Sequence, residues 1–203
     1  MKTLITLAAL AALLAPGRAR AEGEDGAKVL IEDTYLDNGY TAFGVKLVQG
    51  GGKAGAFAAV QGGWDLGADL TMGLVGEVLV SRVSVERNGA SALNMGFLGL
   101  FAEYDVLEKD AFGLTAGFAT GLGEAGYRID DERALIGGGT AKAYERSALF
   151  FAEPTATGLV HVSHRLDLAL SLGYRYARGA KIEGLSPGAF GGAAAALGLR
   201  GHF

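Results

Sequence analysis

The chain has 203 residues, enough for one domain, and its net charge of −4 argues against a nucleic-acid partner. It contains no cysteine, which excludes a disulfide framework and an anchor through a lipidated cysteine. Half of its residues are hydrophobic, yet beyond the N-terminus no apolar run approaches the roughly 18–20 residues of a membrane helix. The apolar residues are spread by alternation, and 34 glycines against 3 prolines suit tight turns and a crowded sheet interior.

Residues 1–21 read as a secretory signal peptide: Lys2 supplies the charge, residues 4–15 the apolar core, and Ala19-Arg20-Ala21 the cleavage site. Residues 22–38 are acidic and mixed around Val29-Leu30-Ile31, and read as a periplasmic lead-in. From residue 39 onward the pattern changes to period two.

The first strand is expected at 39–48, with Thr41, Phe43, Val45 and Leu47 opposite Lys46; a turn at 49–52 follows. The second, 53–64, sets Ala54, Ala56, Ala58, Val60 and Trp64 against Lys53 and Gln61. The third, 68–81, sets Leu70, Met72, Leu74, Val78 and Val80 against Asp69, Thr71 and Glu77. After a polar stretch at 82–91, the fourth strand, 93–104, is apolar on both faces; placing Leu98, Leu100, Ala102 and Tyr104 outward turns Glu103 inward. A short turn at 107–110 leads to the fifth, 112–123, with Phe112, Leu114, Ala116, Phe118 and Leu122 opposite glycines and Thr115.

Residues 124–145 form a long loop, including Asp130-Asp131-Glu132, read as solvated charge, and Gly137-Gly138-Gly139, which no strand and helix frame as a phosphate cradle. The sixth strand, 146–162, carries Pro154, which cannot donate a ladder bond and predicts a bulge or kink at Glu153-Pro154. The seventh, 165–176, is the clearest: Leu166, Leu168, Leu170, Leu172, Tyr174 and Tyr176 share one face, and Arg165, Asp167, Ala169, Ser171, Gly173 and Arg175 the other. The eighth, 187–203, follows a polar loop.

Alternating strands of about 9–11 residues or more, joined by short and long connections in turn, predict an all-β, closed, antiparallel, up-and-down transmembrane β-barrel of about eight strands over residues 39–203. A soluble lipocalin-like barrel would have the faces inverted. The apolar face looks out to lipid, and Trp64, Tyr104, Tyr174 and Tyr176 form its aromatic girdles.

Leu197, Leu199, Gly201 and Phe203 share one face of the last strand. They resemble the β-signal of bacterial outer-membrane proteins, which implies recognition by the barrel assembly machinery. Gly39-Tyr40, Gly62-Gly63-Trp64, Gly96 with Glu103-Tyr104, Phe151-Ala152-Glu153-Pro154 and Gly173-Tyr174-Arg175-Tyr176 are similar to a family of small Gram-negative outer-membrane barrels of uncharacterised function, with OmpA/OmpX-like architecture. The resemblance covers most of residues 39–203. It implies the bacterial outer membrane as location and outer-membrane lipid as surroundings, and it implies no activity. A monomer is expected.

With the apolar face outward, Lys46, Glu77, Glu103, Glu153, Arg175 and Arg200 point inward, beside Gln61, Thr155 and Thr157. Three carboxylates against three cations in a lumen just wide enough for side chains predict a salt-bridge plug. The first functional reading is therefore a structural or surface-interaction barrel with external loops free for contacts. The second is a narrow porin-like channel. The third is a lipid-modifying hydrolase: His161 and Ser163 resemble the His-x-Ser of outer-membrane lipid A deacylases. His164 stands where that family has asparagine, no acidic residue lies at a suitable downstream spacing to orient the histidine, and the pair falls at a periplasmic turn. No catalytic residue, metal site or cofactor is expected, and three histidines without cysteine give no metal cluster.

Overall fold

The computed structural model describes residues 38–50, 53–66, 69–81, 83–85, 91–128, 144–179, 188 and 190–203. The signal peptide, almost all of the lead-in, Asp130-Asp131-Glu132 and Gly137-Gly138-Gly139 lie outside them. Within them the strands are β1 (Gly39–Gly50), β2 (Lys53–Asp65), β3 (Leu70–Leu79), β4 (Ser84–Val85), β5 (Ser91–Lys109), β6 (Phe112–Arg128), β7 (Tyr144–Ser163), β8 (Leu166–Arg178) and β9 (Gly192–His202). All pairings are antiparallel, in the order β3-β2-β1-β9-β8-β7-β6-β5, and a β3–β5 ladder closes the ring. The two-residue β4 pairs with the start of β5 outside that ring. Eight strands thus make a closed up-and-down barrel, which leaves no sheet edge exposed.

The two faces separate as the alternation requires. Phe43, Val45, Leu98, Leu122, Leu170 and Leu172 are exposed on the outside, while Glu77, Glu103, Glu153, Asp167, Arg175 and Arg200 are buried inside. Burying charge and exposing leucine is the reverse of a soluble protein and the pattern of a barrel whose solvent is lipid.

Following the ladder round the ring shows how the strands are staggered. From His161 the pairs run to Asp167, Arg200, Ala42, Gln61, Val75, Gly99 and Gly121, and return to β7 at Phe151. One circuit climbs ten residues of the same strand, from 161 to 151. Side chains from strands far apart in the chain therefore meet at one height. Close approach inside needs small residues. A Cβ on Gly99 would meet the carbonyl oxygen of Thr120 at 2.3 Å and the Phe151 ring at 2.9 Å.

Three local expectations are corrected. The stretch 107–109 is strand rather than turn: a bulge between Asp105 and Leu107 keeps β5 and β6 paired to Lys109↔Phe112, and the turn is left to Asp110 and Ala111. β9 begins at Gly192 rather than 187, after a turn in which Gly191 N–H donates to Gly188 O (2.9 Å). No bulge occurs at Pro154. The β7–β8 ladder skips two pairs between Ala152↔Tyr176 and Thr155↔Gly173 and resumes without a shift, because β7 keeps its pairing to β6 through Phe118↔Pro154. The missing proline N–H opens the ladder on one side only. The bulge on β7 lies lower, between His161 and Ser163.

Candidate functional site in the barrel lumen

The alternation of six different strands delivers the inward charges, and the stagger brings them into two separate groups. In the upper group Arg175 of β8 is fully buried. Its Nε donates to Glu153 Oε2 (2.6 Å), and its Nη2 donates to Glu77 Oε1 (2.8 Å) and Oε2 (2.6 Å). Lys46 Nζ donates to Glu77 Oε1 (2.6 Å) and Glu153 Oε1 (2.8 Å). Two cations and two carboxylates thus form one neutral network, each carboxylate shared by both cations. Glu153 and Glu77 are buried, with 1% and 3% of their surface open.

In the lower group Arg200 Nη2 of β9 donates to Glu103 Oε2 (2.7 Å), and Tyr40 OH donates to the same oxygen (2.6 Å). Gln61 Nε2 donates to Glu103 Oε1 (3.1 Å) and to the Tyr40 hydroxyl. The Arg200 guanidinium lies 3.8 Å from the centre of the Tyr40 ring. All six charges singled out from the sequence therefore face the lumen, but Glu103 and Arg200 do not join the other four.

Sequence reasoning missed what lies above the upper group. Phe57, Phe97 and Phe151 surround the Arg175 guanidinium at 5.5, 4.8 and 5.4 Å from their ring centres. Phe97 and Phe151 meet edge to face at 5.2 Å, as Phe57 and Phe190 do at 6.3 Å. Val48, Leu93, Met95 and Leu149 continue this cluster. The outer half of the lumen is therefore an apolar core, and the quadrupoles of three rings face the buried cation. The signal was present: Phe97 and Phe101 are why the fourth expected strand was apolar on both faces, and Phe151 shares a face with Glu153.

At the opposite end Asp167 links two histidines. His161 Nδ1 lies 2.9 Å from its Oδ1 and His202 Nε2 2.7 Å from its Oδ2. This corrects the sequence reading, which found no acidic residue placed to orient His161. The hairpin pairs His161 directly with Asp167, and the bulge carries Ser163 onward to pair with Leu166. His161 Nε2 lies 3.1 Å from Glu108 Oε1, a contact too poorly aligned to be a hydrogen bond. Ser163 Oγ instead accepts from the Arg165 N–H (3.4 Å). The histidine and acid are placed together, and the structure records no contact of Ser163 with either. Among the described residues no group of three or more His, Asp or Glu side chains is placed to hold a metal ion.

On the outside, Tyr174 and Tyr176 lie on β8 near its outer end, and Trp64 and Tyr104 lie near the opposite ends of β2 and β5. Tyr104, Tyr174 and Tyr176 are exposed. Leu197 faces outward, Leu199 pairs with Phe43 and Leu168, and Gly201 with Thr41 and Leu166. Phe203 N–H donates to Gly39 O (3.1 Å), tying the last residue to the first strand.

A closed eight-stranded barrel with a lipid-type exterior and a side-chain-filled lumen is a barrel of the small outer-membrane class. Neither protein-family models nor curated proteins give a match to the chain. OprG, an outer membrane protein of Pseudomonas aeruginosa, aligns with 83% of this chain and 97% of its own at 10% identity and a TM-score of 0.51. Neisserial surface protein A aligns with 82% of this chain and 95% of its own at 14% identity and a TM-score of 0.48. Ail, the attachment invasion locus protein of Yersinia pestis, aligns with 82% and 97% at 12% identity and the same score. At these identities the likeness is one of fold.

Proposed function

We propose that this barrel sits in the bacterial outer membrane as a structural or surface-interaction protein and does not conduct. The observation that carries the reading is the filled lumen: an apolar core above two internally neutral networks. Contacts then fall to the long external connections after β3, β6 and β8, and to the surrounding lipid. The terminal strand serves assembly, and the tyrosines and Trp64 set the depth in the bilayer.

His161 and Asp167 favour the hydrolase reading less, because Ser163 Oγ accepts from the Arg165 N–H while His161 is bonded to Asp167. The test has two arms. Fractionation should place a heat-modifiable band in the outer membrane. The purified protein should then leave planar bilayers without unitary conductance. Stable ion-selective channels abolished by bulky lumen substitutions would replace this reading with the channel, and a soluble periplasmic protein would overturn both.

A further inference from the structure

We propose that the lower lumen is a blind vestibule for water, open at the periplasmic end and gated at mid-height by Arg200 with Glu103 and Tyr40. The word periplasmic rests on the outer-membrane reading above; the vestibule itself does not.

One buried polar atom carries the argument. Arg200 Nε has no hydrogen-bond partner in the protein, and its residue is more than nine-tenths buried. Leaving such a group unpaired costs about 1–3 kcal/mol, and more when it is charged, so a partner from solvent is required.

The space for it is present. A cavity of about 90 Å³ lies between the two networks, lined by Gln61, Glu103, Glu153, Thr157, Ser171 and Arg200. At roughly 30 Å³ for each water in the liquid it takes about three molecules, and its lining offers the two to four polar partners that each needs. Two of its hydroxyls are arrayed for this: Thr157 Oγ1 lies 2.8 Å from Ser171 Oγ.

Below it a basin of about 660 Å³ is lined by Tyr40, Asp65, Asp105, Asp167 and His202, and again by Arg200. Arg200 is the one residue lining both spaces. Its guanidinium, held by Glu103 and stacked on Tyr40, is therefore the partition between them. At the far end the phenylalanines around Arg175 close the route. Because both networks balance internally, the inner cavity offers no net charge to hold an ion, and its ligand is water.

Single cysteines read this arrangement with a small cationic methanethiosulfonate on otherwise intact, heat-modifiable protein. Ser163→Cys, at the basin, should label fast. Ser171→Cys should label slowly while Arg200 is present. With Arg200→Ala it should label about tenfold faster or more, the factor expected when a charge-assisted hydrogen bond no longer has to open. Leu149→Cys in the outer core should stay unlabelled in both backgrounds. Fast labelling of Ser171→Cys beside Arg200, or slow labelling without it, overturns the gate; labelling of Leu149→Cys overturns the blind end.

Should Arg200→Ala not fold, cross-relaxation between water and the Arg200 Nε proton in the unsubstituted protein decides. A water signal is expected there, and its absence refutes the proposal. Labelling of Ser163→Cys in intact cells by an impermeant reagent would instead refute the assumed orientation, leaving the order of the three sites as the test of the vestibule.

Discussion

Arg175 is the most consequential side chain in the lumen, and its replacement by methionine gives a sharp test of how the network is wired. The guanidinium is fully buried, bonded to two carboxylates and ringed by three phenylalanines. Arg175→Met leaves Glu77 and Glu153 facing Lys46 alone, so two negative charges share one positive charge beneath an apolar core. Removing one partner from a buried pair costs about 3–5 kcal/mol, and the lost ring contacts add about 0.5–2 kcal/mol. Methionine replaces part of the packing volume, so the lower part of the summed range is expected. Adding Glu153→Met restores balance, because Glu77 keeps Lys46 at 2.6 Å. That double variant should recover much of the loss. Arg175→Met with Glu103→Gln should recover nothing, since Glu103 belongs to Arg200, Tyr40 and Gln61. Urea unfolding in detergent, followed by Trp64 fluorescence and by gel mobility, measures these variants together with Glu153→Met and Glu103→Gln alone, and gives the coupling energies. Equal rescue by the Glu103 and Glu153 substitutions would refute the separation into two networks. An Arg175→Met protein as stable as its parent would refute the claim that the carboxylates depend on it.

Other expectations follow from the faces and the packing. Leu170→Arg, on the lipid face, should cost about 2–4 kcal/mol at mid-bilayer, and a cysteine at 170 should react with lipid-soluble probes and not with impermeant ones; the reverse pattern would mean inverted faces. Phe203→Asp should lower the yield of heat-modifiable protein in the outer membrane, and an undiminished yield would count against an assembly signal in the last strand. Gly123→Val should destabilise by about 1–3 kcal/mol in the same unfolding assay, because even a Cβ there would meet Phe97 at 2.5 Å and Leu149 at 2.7 Å.

The barrel was legible because lipid outside and polar groups inside impose period two on each strand, and Leu166 to Tyr176 alternates without a break. The inward charges were legible for the same reason: each one alternates with residues of the outward face. Their partners were not, because a face says nothing of height, and the ten-residue stagger separates Glu103 from Glu77 and Glu153. The outer core was hidden by the assumption that a lumen is polar throughout. Phe57, Phe97 and Phe151 alternate with glycine, alanine and leucine, so both faces read as apolar. Asp167 was passed over as an orienting group because its nearness to His161 arises from hairpin pairing across the turn and not from a motif spacing.

The stagger has a consequence for how the ring finds its closure. The seam between β1 and β9 joins the two ends of the folded chain, and the glycines and alanines along it would pair nearly as well if one strand slid by two residues, which preserves inside and outside. Such a slide displaces side chains by about 7 Å along the strand, at roughly 3.4 Å per residue. Lys46 on β1 would then leave Glu77 and Glu153, and Arg200 on β9 would leave Glu103, stranding buried charges without their partners. Correct and mis-set rings thus differ little in their backbone bonding and greatly in their electrostatics, so the buried ions favour the one register of the seam that pairs them.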